Sequence, residues 1–225
     1  MTGDRDAIYG RIREALRVPA PRHHEKPSSP ATNVTAPFRE WLPPVGPTHE
    51  DRLAVFVRVS EMLKTEFVDC PDIAAAAKHL AQLAATNGWQ KLALHPGALT
   101  DAIAPAIPLL HIDGDYEKND LESCDAGLTE CECLVAQTGS VCVTTRSSGG
   151  RALSVLPPFH VVIASRAQLL PDLTAAYELL AQKYGASGYP SFIGFINGPS
   201  RTGDIERILV LGAHGPKKLT VLLVP

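Results

Sequence analysis

The sequence predicts an α/β protein, a three-layer α/β/α arrangement around an open, mostly parallel sheet. Three observations carry this. Several apolar runs rich in valine and isoleucine, such as "SVCVTT", "HVVIAS" and "LTVLLV", are continuous and suit strands covered on both faces. These runs alternate with helical stretches of 3.6-residue apolar periodicity. The chain has 225 residues, 45% hydrophobic and 20% charged, which supports one substantial core.

The elements follow in order. Residues 4–17 read as a short amphipathic helix, with Ile8, Ile12, Ala15 and Leu16 on one stripe. Residues 18–48 hold eight of the nineteen prolines. Proline fixes φ and removes a donor, so this segment reads as an extended connector or wrapping arm. We therefore divide the chain into an N-terminal helix and proline-rich arm, 1–47, and an α/β domain, 48–225. A helix this short, tethered by such an arm, must dock on its own core or on a partner.

The domain opens with "THEDRLAVFVRVSEMLKTEF", a helix capped by Thr48 with Leu53, Phe56, Val59 and Leu63 inward. "DCPDIAAAAKHLAQLAATNG" reads as a second helix, capped by Asp69 and ended by Asn87-Gly88. Strands are expected at "KLALH", "IPLLHI" (107–112), "AGLTEC" (126–131), "SVCVTT" (140–145), "HVVIAS" (160–165), "SFIGFI" (191–196), "RILVLG" (207–212) and "LTVLLV" (219–224). A helix lies between 165 and 191, with Ser165 and Gln168 as a capping box and Gly185 at its end; Pro171 pushes its true start later. Only "AHGPKK" separates the last two strands, which suggests a hairpin or a local antiparallel excursion.

Net charge is −3, with 21 basic and 24 acidic residues, so no basic excess points to nucleic acid. Lys217 and Lys218 read as solvated. No apolar run approaches the roughly 18–20 residues of a membrane helix. The N-terminal stretch lacks the apolar centre of a signal peptide, and the protein reads as cytoplasmic. Five cysteines, an odd number, fit a reducing compartment.

No G-x-G-x-x-G opens a helix and no phosphate-binding G-x-x-x-x-G-K-[ST] is present, so no nucleotide or flavin cofactor is expected. Cys124, Cys131, Cys133 and Cys142 lack the spacing of an iron–sulfur cluster. On a strand Cys131 and Cys133 would share a face, which would suit zinc or redox chemistry; small hydrophobes packed in a strand is the plainer reading, and no metal is expected. Cys70, at a helix start, is a thiol whose pKa could be lowered.

Three segments carry unusual chemistry. Thr138-Gly139-Ser140 interrupts apolar runs, where glycine permits close backbone approach or positive φ. In "GGRALSVLPPFHVV", Arg151 follows two glycines, and an arginine fork matches a carboxylate or phosphate. His160 opens the strand after two prolines, as a hydrogen-bonded structural histidine or as an acid/base. Finally, "NGPSRTGDIERILVLGAHGP" combines Gly198, Ser200, Arg201 and Thr202 with Asp204, Glu206 and His214. A strand is expected to end there and a helical turn to begin, with Ser200 or Thr202 as cap. Helix-start amides attract anions, and ligands of open α/β sheets sit outside the carboxyl ends of strands. Thr138, Gly139, Arg151, Gly198, Ser200, Arg201 and Thr202 are thus candidate ligands of an anion. His160, His214, Glu206 and Asp204 are candidate acids, bases or nucleophiles. The acids could equally favour a helix N-terminus through its dipole.

"AQTGS", "LSVLPPFHVV" and above all "GPSRTGDIERILVLGAHGP" followed by "LTVLLV" resemble the LUD domain of the lactate-utilisation protein C family (LutC/YkgG type). Gly203 stands where that motif usually has alanine. The resemblance is strong over roughly 125–225 and looser before it. It implies a fold similar to ribose-phosphate isomerases, CoA transferases and formyltetrahydrofolate cyclo-ligase. It also implies participation in oxidising L-lactate to pyruvate with iron–sulfur partner proteins, this chain being the cluster-free component. The resemblance fixes no catalytic residue. Alternative readings are a stand-alone acyl-CoA transferase-like or phosphosugar isomerase-like enzyme, and a non-catalytic scaffold subunit.

Overall fold

The computed structural model describes residues 3–17, 42–105, 109–111, 117–203, 209–212 and 215–225. The chain divides into two units, Met1–Trp41 and Leu42–Pro225. In the first, α1 (Gly3–Arg17) forms as the periodicity predicts, and its Ile8 and Ile12 are exposed. Most of the proline arm lies outside the described residues.

In the second unit α2 (His49–Leu63) begins at Thr48, whose hydroxyl accepts the Asp51 amide while the Asp51 carboxylate accepts the Thr48 amide. This reciprocal box satisfies donors that a helix start leaves bare. Lys64 ends the helix in the left-handed region, φ 65°. The expected helix therefore stops short of "TEF", and Glu66–Asp69 is instead the first strand, β1. Asp69 ends that strand, so the cap of α3 (Ile73–Asn87) is Asp72, which accepts the Ala75 amide at 2.7 Å. Gly88 closes α3 with φ +67°.

Then follow β2 (Leu92–Leu94), α4 (Ala98–Ile103), β3 (Leu109–His111), α5 (Lys118–Glu122), β4 (Ala126–Thr129), β5 (Cys133–Val135), β6 (Ser140–Thr144), α6 (Thr145–Ser148) and β7 (Phe159–Ser165). The Ser165/Gln168 box is present, but it caps a single 3₁₀ turn leading into β8 (Leu169–Leu170). After Pro171, α7 (Leu173–Tyr184) starts with Asp172 as its cap. β9 (Ile193–Ile196), β10 (Arg201–Gly203), β11 (Leu209–Leu211) and β12 (Lys218–Val224) complete the chain.

Six strands form one all-parallel sheet in the order β1-β12-β7-β4-β2-β3. Leu222, Val224, Val161, Ile163 and Leu128 point to one face and pack with Ala76, Leu80 and Ala84 of α3 and Ile103 of α4. Leu219, Val221, Leu223, Val162 and Ala164 point to the other and meet Phe56 of α2. The sheet with helices on both faces is the expected architecture. The second face also carries a four-stranded sheet, β8-β5-β6-β9. Leu134, Val141 and Val143 of that sheet face the first sheet, while Cys133, Val135 and Cys142 face Ala176, Leu180 and Tyr184 of α7. Its strands are covered on both sides and so read like parallel-sheet strands.

β11 and β12 do not form a hairpin with each other. β11 pairs antiparallel with β10, and β12 inserts between β1 and β7, where its alternate side chains are buried on both faces.

Candidate functional site

Several of the sequence candidates lie near the amino-terminal ends of the parallel strands. The turn before β6 holds Gly139 at φ +62°. A Cβ there would lie 2.8 Å from Val59 Cγ1 of α2, so only glycine lets the turn close onto the helix. Thr138 Oγ1 sits 2.6 Å from Ser140 Oγ, and the Ser140 hydroxyl donates to Asn197 Oδ1 at 3.1 Å. Asn197 Nδ2 donates back to the Thr138 carbonyl at 3.3 Å. Asn197 thereby ties this turn to Gly198, which has φ +74° and whose Cβ would lie 2.5 Å from the Leu63 carbonyl. Thr138, Gly139, Gly198 and Arg201 are thus brought together at the C-terminal end of α2.

The anion turn takes a different form from the expected one. Arg201–Gly203 is strand β10, paired with Leu209–Leu211, so neither Ser200 nor Thr202 caps a helix. The Ser200 amide donates to the Pro216 carbonyl at 2.9 Å, and the Ser200 carbonyl accepts the Gly212 amide at 2.9 Å. Thr202 pairs with Val210. These backbone groups are used within the chain, because a β-hairpin consumes the amides that a helix start would leave bare. The segment does follow the carboxyl end of a strand, but that strand is β9 of the smaller sheet. Asp204, Glu206 and His214 lie outside the described residues.

What remains at this edge is side-chain charge around two open cavities. One, about 640 Å³, is lined by Lys64, Glu66, Pro199, Arg201, Lys217 and Lys218 among others. The other, about 610 Å³, is lined by Glu122, Arg151, Pro158, Gly212, Gly215 and Lys217. Lys217 borders both, its amide anchored on the Pro158 carbonyl at 2.8 Å. Neither Arg151, Arg201 nor Lys217 has an acidic side chain within ion-pair distance among the described residues. Lys217 and Lys218 are both exposed, as the sequence suggests, and their position at the start of a buried strand sets them beside the cavities.

His160 lines neither cavity. It is 1% exposed, paired in register with Gly127 and Leu219, and its Nε2 lies 3.0 Å from Thr129 Oγ1. Burial lowers its pKa to about 4, so the ring is neutral at pH 7. It has the surroundings of a core histidine.

The cysteines are packed as small buried hydrophobes, the plainer of the two readings, but Cys131 and Cys133 do not share a face. The chain bends at Glu132, so Cys131 faces the first sheet and Cys133 faces α7. Cys133 stands opposite Cys142 across β5 and β6. All five thiols are buried and unpaired by disulfides. Burial and the neighbouring Asp69 and Asp72 raise the Cys70 thiol rather than lowering it. Among the described residues no group of three or more His, Cys, Asp and Glu could hold a metal ion, and no helix is long and apolar enough to cross a membrane.

At the opposite end of the parallel sheet lies a cluster that the sequence reading passed over. Glu132, just beyond β4, is buried, with its side chain 1% exposed. Its Oε1 accepts the Thr144 hydroxyl at 2.6 Å and the Tyr184 hydroxyl at 2.7 Å, and its Oε2 accepts Lys183 Nζ at 2.6 Å. Burial pushes its pKa up, but the bonds from Lys183, Thr144 and Tyr184 outweigh burial and hold it below the usual carboxylate range. An acid between two buried cysteines in "TECECLV" was the signal for it.

The geometry sits within a recognisable family. Residues 53–224 match the LUD domain. The chain is 36% identical over 103 residues to lactate utilization protein C of Shouchella clausii, covering 46% of this chain and 45% of that protein. It is 34% identical over 122 residues to the Bacillus subtilis protein of the same name, covering 52% and 50%. These matches thus span about half the length of the relatives. The Geobacillus kaustophilus protein of that name is 26% identical over 199 residues, covering 82% of this chain and 83% of that one. In fold the chain is similar to a crystal structure of a DUF162 family protein from Deinococcus radiodurans, with TM-score 0.63, 19% identity, and coverage of 80% of this chain and 100% of that one. The chain belongs to the LUD domain family.

Proposed function

We propose that this protein is a component of an L-lactate utilisation system, acting with iron–sulfur partner proteins in the oxidation of lactate to pyruvate. In this reading it holds a small carboxylate at the amino-terminal edge of its parallel sheet. The relatives named lactate utilization protein C support the pathway. The carboxylate rests on one observation: Arg151, Lys217 and Arg201 line two adjoining cavities without acidic partners among the described residues. An arginine fork meets a carboxylate bidentately, and lysines add charge without fixing direction. Gly139 and Gly198 let the surrounding loops close tightly. The electron acceptor comes from elsewhere, because no cofactor motif is present in the sequence.

Calorimetric titration with lactate and pyruvate tests the binding. Saturable binding that falls at least tenfold in an R201Q/K217Q variant is expected; unchanged affinity in that variant defeats the assignment. Deletion of the gene should abolish growth on lactate, and iron–sulfur proteins should co-purify with the tagged chain. Intact lactate growth would remove the pathway assignment. A thermal shift with CoA esters or sugar phosphates, and none with lactate or pyruvate, would favour a stand-alone enzyme of a related fold.

A further inference from the structure

The cavities at the amino edge are larger and more strongly charged than a small monocarboxylate requires. They adjoin at Lys217, and their volumes are about 640 Å³ and about 610 Å³. Cavities of about 300–1,000 Å³ are the size that encloses drug- or cofactor-sized ligands. Lactate fills a small part of either one.

Lys64, Arg151, Arg201, Lys217 and Lys218 stand on the two walls, against Glu66 and Glu122. With both acids counted in full, three positive charges are left over among the described lining residues. The chain as a whole carries −3, so the surplus is a local concentration and not the average of the surface. Neither acid lies within ion-pair distance of a lining cation. Glu122 lies 3.0 Å from Lys118 Nζ, while Glu66 accepts the Thr220 hydroxyl at 2.9 Å and lies 3.7 Å from His79 Nε2. The cations meet neutral groups instead. Arg201 Nη2 donates to the Asn197 carbonyl at 3.3 Å, and Lys218 Nζ lies 5.3 Å from the Phe159 ring centroid. Gly212 has φ +75°, and a Cβ there would collide with the Lys217 side chain, so the glycine is what lets that side chain lie across the turn.

We propose that the two cavities form one site for an organic diphosphate, with its phosphates on Lys217 and the flanking Arg151 and Arg201 and its organic part against Met62, Pro199 and Leu219. A diphosphate ester brings about three negative charges at neutral pH, which matches the surplus; a monocarboxylate leaves most of it unmet. Arginine forks take phosphate oxygens in pairs, and lysine supplies a point charge. Met62 is 72% exposed on this wall, and its unbranched thioether adapts to an irregular apolar shape. The inference rests on the reading of this edge as an anion site and names the class of ligand that its size and charge fit.

The test is calorimetric titration of the full-length protein with ADP, with parallel arms of AMP, sodium pyrophosphate and sodium pyruvate. All arms contain about 0.15 M sodium chloride, which screens loose attraction to exposed charge. Expected is saturable binding of ADP, at least tenfold tighter than AMP and tighter than pyrophosphate. It should weaken at least tenfold in R151Q and in K217Q, and stay unchanged in R146Q at the other end of the sheet. Arg151 and Lys217 are exposed, so these variants should fold, and unchanged melting temperatures verify this; R151K, which keeps the charge, should bind ADP more tightly than R151Q. Absence of saturable ADP binding, wild-type affinity in both R151Q and K217Q, or an equal loss in R146Q would each overturn the site. AMP binding as tightly as ADP would overturn the diphosphate class, and pyrophosphate binding as tightly as ADP would remove the organic part. ADP binding without pyruvate binding would leave this site standing and remove the carboxylate reading; pyruvate binding without ADP binding would do the reverse.

Discussion

The two ends of the parallel sheet are built on opposite principles. At the amino end, exposed cations on loops and strand starts surround open cavities, and the shape is set by glycines that let the chain approach α2 closely. At the carboxyl end, one buried carboxylate gathers a threonine of β6 and a lysine and a tyrosine of α7. The first arrangement leaves charge available and contributes little to stability. The second spends most of its charge on holding β6, α7 and the segment after β4 together. Position in the fold therefore does not tell which acid or base is available to a ligand; burial and partners do.

Removing Glu132 should produce the largest effect. Glu132→Ala leaves two buried hydroxyls without their acceptor and is expected to destabilise the fold by about 3–5 kcal/mol in urea unfolding. A loss below about 1 kcal/mol would erase the distinction between the ends.

The next effect is a pH dependence. In the unfolded chain His160 titrates near its ordinary value, whereas in the folded chain burial lowers it to about 4. As pH falls below about 6.5 the unfolded state binds the proton first, so stability is lost down to about pH 4. His160→Gln should reduce the stability difference between about pH 7 and about pH 4.5 by about 2 kcal/mol. An undiminished pH slope would mean that His160 reaches solvent and regain it a place among acid/base candidates.

Gly198→Ala follows, at about 1–3 kcal/mol, since the new Cβ meets a positive φ and the Leu63 carbonyl. Smallest is Arg201→Gln, whose exposed side chain should shift stability by no more than about 0.5 kcal/mol. Its effect should appear in anion affinity instead. A large stability loss there would make Arg201 a structural group.

Much of the fold was legible because its signals are local. Thr48 announces a helix start, Gly88 an end, and the apolar runs of β7 and β12 a sheet covered on both faces. Boundaries failed where two local signals compete: "TEF" continues the apolar stripe of α2, yet Lys64 turns into the left-handed region and the chain re-emerges as β1. The division into two sheets was illegible, since β5 and β6 are as thoroughly buried as the parallel strands. The site was only partly legible. Thr138, Gly139, Gly198 and Arg201 do converge, but Arg201 rests on a hairpin strand, and Lys217 gains its place from the end of a strand far along the chain.

The sequence by itself determined the helix caps, the strand-forming runs, the glycines that must turn and the family, because each depends on neighbours within a few residues or on a long specific motif. Only the tertiary structure decided which charges are compensated. Glu132 meets Lys183 across 51 positions, and Arg201 meets no acid among the described residues. An ionisable group's chemistry is set by burial and by charges a few ångströms away, and those distances exist only once the chain has folded.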